Sequence, residues 1–230
     1  MKLTFLEPLL DLIYPPKCTI CSKILFAGED HICLDCMLHL PLARLSYECD
    51  NWADKLFFGI VEFEKVLAYM HYSKGADSTH LLRALKYQGK KELGEYLGML
   101  MANNLPQAFF QGIDYLVPVP LHKSKLKLRG YNQSEWIAKG ISKVHGIPLL
   151  PDALIKNNAT ASQTTKDVIR RRWQEEHLYS FNRDYNLEGM HIILIDDVLT
   201  TGATLIACRE ALNEVQGLKV SALTFALAHE

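Results

Sequence analysis

The sequence predicts an α/β protein, a parallel sheet with helices on both faces, preceded by a small N-terminal metal-binding module. Three observations carry that prediction. The run "HIILID" (191–196) is the kind of continuous aliphatic stretch that a parallel sheet buries on both faces, and "KVSALTFALA" (219–228) is a second. Between them "ATLIACREALNEV" has helical spacing, so strand, helix and strand follow one another as a parallel sheet requires. Far upstream, "CTIC" (18–21) and "CLDC" (33–36) form two C-x2-C knuckles separated by a short loop.

Taken in chain order, "MKLTFLEPLLDLIYPP" is apolar, but Glu7, Pro8 and Asp11 interrupt it before a signal peptide or membrane span can form. It reads as a short amphipathic helix in a cytoplasmic protein. The knuckles follow. Two tight turns each aim a thiolate pair at one tetrahedral ion, so Cys18, Cys21, Cys33 and Cys36 predict a structural Zn²⁺ site of zinc-ribbon type. Two disulfides are the lesser alternative, because no export signal precedes them; a redox pair needs only one such motif. His31 and His39 lie near enough to substitute as ligands, and Cys49 and Cys208 have no partner spacing and read as packing residues. Composition and pattern change near residues 50–60, which divides a zinc module (1–55) from the α/β domain (56–230).

Within that domain "EFEKVLAYMHYS" (62–73) alternates as a strand does, and "STHLLRALKYQG" (78–89) places Leu81, Leu82 and Leu85 at helical spacing. A second helix, "KELGEYLGMLMANN", ends near Pro106. "DYLVPVP" (114–120) is a buried strand stopped by prolines, followed by a polar loop, "LHKSKLKLRGYNQ", and a helix from about Ser134 to Val144. Lys plus Arg total 25 against 26 for Asp plus Glu, so the chain is no general polycation and any anion site is local.

The run "IILIDDVLTTGAT" (192–204) carries the chemistry. Four aliphatic residues lead into two adjacent carboxylates, Asp196 and Asp197, which repel one another and have no Lys or Arg following them, so their partner is expected from outside the chain. In an open α/β sheet ligands sit where strands hand over to helices, and "TTGAT" opens the next helix at that edge. Backbone N–H groups there attract phosphate. Gly202 allows close approach, and the hydroxyls of Thr200, Thr201 and Thr204 add donors. A sugar phosphate whose hydroxyls face the two acids, such as a ribose 5-phosphate, satisfies both halves. A P-loop ATPase is excluded because G-x4-G-K-[ST] occurs nowhere. Thr201 as a plain N-cap leaves the second acid and the other threonines without a role.

With these residues on the page, "IILIDDVLTTGATL" resembles the phosphoribosyl-pyrophosphate (PRPP) motif of type I phosphoribosyltransferases. The four cysteines, "VPVPLHKSKLKLRGYNQSEWIA" and "SQTTKDVIRRRW" extend the resemblance over most of the chain to one branch, the ComF family of ComFC- and GntX-like proteins. Tyr131 stands where that family commonly has Phe, and "WQEE" follows the Arg run where it commonly has Asn. The resemblance implies that Asp196 and Asp197 bind the ribose 2′ and 3′ hydroxyls and that Thr200, Thr201, Gly202, Ala203 and Thr204 hold the 5-phosphate. It assigns pyrophosphate to "PVPLHKSKLKLRG" through Lys123 and Arg129. A mobile loop at about 159–172 would bring Gln163, Lys166 and Arg171 over the reaction, with Asp196, Asp197, Arg129 and Lys166 as its catalytic set and Mg²⁺ bound alongside PRPP.

Two functions follow from the resemblance. One is transfer of a 5-phosphoribosyl group to an acceptor in nucleoside metabolism, recognised by residues 54–112 or the zinc module because the chain ends about one strand after the PRPP helix. The other is a PRPP- or single-stranded-DNA-binding module in DNA uptake and competence, with competence or helicase proteins as partners. For nucleic acid, "KYQGKK" (86–91) offers a Lys-rich turn beside Tyr72 and Tyr87, aromatic rings of the type on which bases stack.

Overall fold

The computed structural model describes residues 14–73, 78–157 and 178–228. Most of the expected N-terminal helix and the whole expected mobile loop, including Gln163, Lys166 and Arg171, lie outside the described residues. The described elements run α1 (Leu34–Leu38), α2 (Trp52–Lys55), β1 (Val66–Tyr72), α3 (Ser78–Tyr87), α4 (Lys91–Asn104), a 3-10 turn (Gln107–Phe110), β2 (Tyr115–Pro118), α5 (Lys123–Arg129), α6 (Gln133–His145), β3 (Leu154–Lys156), β4 (Tyr179–Phe181), β5 (His191–Leu199), α7 (Ala203–Glu210) and β6 (Lys219–Ala228).

The main sheet is the expected parallel one, in the order β1-β6-β5-β2. Successive strand side chains point to opposite faces, and β5 shows what that does to an all-apolar run. Ile193 and Ile195 join Leu67, Leu116 and Leu223 under α3, α4 and α6, whereas Ile192 and Leu194 join Val117 and Val220 on the face covered by α7. Both faces are dry, so the strand has no polar side until its acids. A small antiparallel hairpin of β3 and β4 packs beside the second face.

Strand β1 would present an open edge, which the N-terminal region covers. Ala43 N–H bonds the Tyr69 carbonyl at 2.9 Å and His71 N–H bonds the Pro41 carbonyl at 2.7 Å, so residues 41–43 pair with the free side of β1. Cys18, Ile20, Ile32 and Leu40 are continuous with the core beneath α4. A buried polar group then ties α2 to the start of the sheet. Asn51 caps α2 and donates to the Val66 carbonyl, while Asp54 accepts from Val66 N–H and from Lys65.

Two expectations need correction. The segment "KSKLKLR" is helical, not a loop. His122 Nδ1 accepts from Ser124 N–H at its start and Gly130, at φ 79°, ends it. Leu126 and Leu128 are exposed, so the helix shows no apolar stripe for a periodicity reading to detect; caps and good helix formers make it. Helix α7 stops at Glu210, whereas the pattern suggested continuation through Val215.

Helices α4 and α6 approach unusually closely because glycines line the contact. A Cβ on Gly140 would lie 2.0 Å from the Glu95 carbonyl oxygen, and one on Gly98 would lie 2.0 Å from that of Ile137. The obstacles are backbone atoms, which cannot rotate away. Gly140→Ala is expected to lower stability by about 1–3 kcal/mol or more, the range of core overpacking, by denaturant titration, since helices α4 and α6 must separate. An unchanged midpoint contradicts the close packing.

Candidate functional site

The site is built at the carboxyl end of β5. Pairing with β2 ends at Pro118 opposite Ile195, whereas pairing with β6 continues past Asp196 opposite Thr224 to Leu199 opposite Leu227. Asp196 and Asp197 therefore emerge where one neighbour has stopped. They share a cavity of about 580 Å³ with Thr200 and Thr204. Arg83, Lys86, Lys125, Arg129 and Lys156 line the same space, five cationic side chains against two carboxylates, an excess of three positive charges.

The acids are not left for an outside partner alone. Ser134 Oγ donates to Asp196 Oδ1 at 3.1 Å, and the Asp197 N–H donates to the same oxygen at 2.8 Å. Lys86 Nζ pairs with Asp197 Oδ2 at 3.0 Å, their side chains 24% and 15% exposed. The expectation of an acid pair without an internal cation is thus overturned. Lys86 lies more than a hundred residues upstream, so only the fold brings it there. Burial, and then the charge of Asp197, push Asp196 up to about 7, although the Ser134 and backbone hydrogen bonds and Lys86 act the other way.

After β5 the chain turns through Thr200 and Thr201 to Gly202, the N-cap of α7 in the left-handed conformation at φ 79°. A Cβ there would lie 2.8 Å from the Phe57 ring, so glycine is required both by conformation and by space. Thr201 Oγ1 accepts from Ala203 N–H at 3.5 Å, and the first N–H groups of α7 have no acceptor within the helix.

The run 129–134 organises the opposite wall. Tyr131 Oη donates to the Leu85 carbonyl, fixing the last turn of α3 next to Lys86. Asn132 caps α6 and donates to the Val119 carbonyl at 2.9 Å, Gln133 accepts from Arg129 at 2.8 Å, and Ser134 holds Asp196. The Arg129 guanidinium lies 5.5 Å from the centroid of the Tyr87 ring. Arg129 Nε and Gln133 Nε2 are buried donors without a hydrogen-bond partner. On the cavity's other side Lys156 donates to Tyr179 Oη at 2.7 Å, and burial lowers the Lys156 ammonium and raises the Tyr179 phenol.

A second centre lies in the N-terminal region. The ligand sulfurs of Cys18, Cys21, Cys33 and Cys36 all fall within 4.8 Å of one another. Burial opposes ionisation of Cys18, but N–H groups of Cys21, Cys33 and Ile20 outweigh it and bring the thiol down to about 7. Burial and the neighbouring thiols push Cys36 the other way. Four crowded sulfurs cannot all ionise without a counter-charge. A tetrahedral Zn²⁺ supplies one, and the donor set fits it. The histidines are not part of the cluster: His39 Nδ1 lies 2.7 Å from the Asp35 carbonyl, and the His31 ring leans on Tyr96. Cys208 is buried as expected of a packing residue, but Cys49 is exposed.

Comparison with known proteins bears on both centres. Residues 9–57 match the double zinc ribbon domain model. Competence protein ComFC of Bacillus subtilis (strain 168) is 26% identical over 90% of this chain and 82% of its own length. The DNA utilization protein YhgH of Escherichia coli (strain K12) is 24% identical over 82% of this chain and 80% of its own. The chain is thus similar over most of its length to proteins named ComFC and YhgH. A solved glutamine PRPP amidotransferase from B. subtilis, complexed with ADP and GMP, aligns over 61% of this chain and 30% of its own, at 19% identity and a TM-score of 0.41.

The structure gathers Asp196, Asp197, Thr200, Thr204 and Arg129 around one cavity, with Thr201, Gly202 and Ala203 in the adjoining turn. Lys123 is exposed in the first turn of α5 and does not line the cavity, whereas Lys125 does. Sequence reasoning passed over Ser134, Arg83, Lys125, Lys156 and Tyr179. Ser134 stood inside the quoted "RGYNQSEW" run, but nothing local marked Lys156.

Metal analysis is expected to return one zinc per chain, and Cys33→Ser to lose it and unfold the region around it; a zinc-free native protein contradicts the tetrahedral assignment. Asp196 yields a pH dependence of defined sign. Its carboxyl holds a proton more tightly folded than unfolded, so its contribution to stability is full below about 4 and lost as pH rises through about 7. Relative to Asp196→Asn, the melting temperature of the parent is expected to fall across that window, and parallel curves contradict the shift.

Proposed function

We propose that the cavity binds PRPP together with Mg²⁺ and that the protein transfers its 5-phosphoribosyl group to an acceptor. One observation carries the reading. The acid pair and the ends of the amide-lined turn share one cavity whose remaining charged lining is cationic, in a chain of net charge −1. Such a field concentrates a polyanion, while the two carboxylates demand hydroxyls or a cation within it. A phosphorylated ribose bearing pyrophosphate offers all three features.

In this reading Asp196 and Asp197 accept from the ribose hydroxyls, and the N–H groups and hydroxyls from Thr200 to Thr204 receive the 5-phosphate. Arg129 and Lys125, which line the cavity, face the pyrophosphate. Lys123 is the outer member of the same basic helix. Gln163, Lys166 and Arg171 complete the set from outside the described residues. Mg²⁺ would neutralise charge developing on the leaving group. The positioned guanidinium and ammonium groups hold the departing pyrophosphate without reorganising.

The proposed organisation keeps residues 1–55 as a metal-bearing unit and 56–230 as the phosphoribosyl-binding unit in a cytoplasmic protein. Among the described residues no helix is long and apolar enough to cross a membrane. The names ComFC and YhgH support a second reading, a single-stranded-DNA-binding module acting in DNA uptake beside competence or helicase proteins. The part of the lining formed by Tyr72, Tyr87 and Arg129 favours it, because aromatic rings and guanidinium planes stack bases of any sequence.

PRPP with Mg²⁺ is expected to raise the melting temperature, and Asp196→Asn with Asp197→Asn to abolish the rise; absence of a shift in the parent refutes the binding. Pyrophosphate release during incubation with PRPP and a panel of bases, nucleotides and single-stranded DNA then separates the readings. Release that depends on one acceptor establishes the transferase. Salt-sensitive DNA retention without release establishes the module.

A further inference from the structure

Lys86 sits in the last turn of α3, lines the cavity, and among the described residues pairs with Asp197 at 3.0 Å. An ammonium on that carboxylate competes with any hydroxyl that would donate to it. Asp196 leaves less room for compensation, because its Oδ1 already accepts from Ser134 and from the Asp197 N–H. A ribose hydroxyl that donates to Asp197 Oδ2 therefore competes with Lys86 for that oxygen.

Whether displacement is favourable depends on what the ligand offers Lys86 in return. A neutral diol exchanges a charge-assisted bond for ordinary ones and leaves a partly buried ammonium among Arg83, Lys125, Arg129 and Lys156 with no counter-charge. Hydrogen bonds to charged groups are stronger than neutral ones, so the exchange is unfavourable. A ligand that brings its own anion reverses this, since the ammonium released from Asp197 gains a phosphate oxygen. Arg129 lies over the ring of Tyr87, the residue next to Lys86, and both cations line the same cavity.

The surrounding structure suits such an exchange. The Tyr131 hydroxyl holds the Leu85 carbonyl, which anchors the backbone beside Lys86, while the lysine side chain is a flexible four-carbon stem that swings without moving α3. We propose that Lys86 is a specificity-determining residue: it rests on Asp197 while the cavity is empty, transfers to the ligand's pyrophosphate on binding, and so restricts the acid pair to ribosyl groups that carry an anion at that end. The inference rests on the phosphoribosyl reading for its ligand, but the resting position of Lys86 is testable without it.

The test uses the full zinc-loaded chain as parent, Lys86→Met and Lys86→Gln, with melting curves to establish folding. Mn²⁺ binding is titrated alone, and PRPP and ribose 5-phosphate are titrated by calorimetry with Mg²⁺. With Lys86 gone the acid pair is vacated, so Mn²⁺ is expected to bind about tenfold more tightly, while PRPP binds about tenfold more weakly, the equivalent of one charge-assisted contact. Ribose 5-phosphate is expected to hold or gain affinity, so the preference for PRPP over it collapses. Opposite signs for Mn²⁺ and PRPP are an outcome that a merely structural ion pair does not give. Unchanged Mn²⁺ affinity in a folded variant overturns the inference whatever PRPP does, as does a parallel loss for all three ligands. Tighter Mn²⁺ binding with no PRPP binding to the parent overturns the phosphoribosyl reading and the exchange onto pyrophosphate, and upholds Lys86 as the occupant of the acid pair.

Discussion

Two adjacent carboxylates at the end of a strand that is dry on both faces have to be stabilised from above, and the rest of the site is arranged around that requirement. Like charges this close cannot both remain ionised in partly buried surroundings without donors or a cation. Ser134 and a backbone N–H serve Asp196, and Lys86 serves Asp197. These partners come from α6 and α3, so the acids fix the positions of two helices as much as the helices fix the acids. The sheet permits this because β2 stops one residue short of Asp196, leaving an opening on the side from which both helices reach in.

The run from Arg129 to Ser134 shows why a short segment can be so constrained in type. Each of its polar side chains meets a different part of the cavity wall: Arg129 the Tyr87 ring, Tyr131 the end of α3, Asn132 the loop after β2, Gln133 the Arg129 side chain, Ser134 the acid. A hydrophobic replacement at any one of them leaves a buried partner unmatched. The segment starts α6, whose glycine-lined contact with α4 sets how deeply it seats. Packing on the far side of α6 is thereby coupled to the hydroxyl that holds Asp196.

What was legible in the sequence was what is local. Four cysteines at knuckle spacing, the aliphatic run of β5 and the acid-to-glycine turn are each written within a few residues; the sulfurs cluster, the run forms a buried strand, and the turn opens α7 at that strand's end. Helix α5 was missed because its leucines face solvent and its signals are caps, not periodicity. The pairing of Lys86 with Asp197 and the place of Lys156 were missed for a different reason. Each is an ordinary lysine on an ordinary element, and its meaning arises from a partner a hundred or more residues away for Lys86, or from a hairpin register for Lys156, where β3 pairs Lys156 with Tyr179. A charge read along the chain looks solvated; the same charge read across the fold lines a cavity.

The N-terminal metal region enters the same scheme through contacts rather than proximity in sequence. Its sulfur cluster holds a segment whose continuation, residues 41–43, closes the free edge of β1, and whose next helix, α2, is bonded to Val66 through Asn51 and Asp54. That helix delivers Phe57, buried and wedged against Gly202 in the turn after the acids. The turn is thus shaped from below by β5 and from the side by a ring that the N-terminal region places. A metal centre that contributes folding free energy to residues 18–36 therefore also steadies the backbone of the turn after the acids.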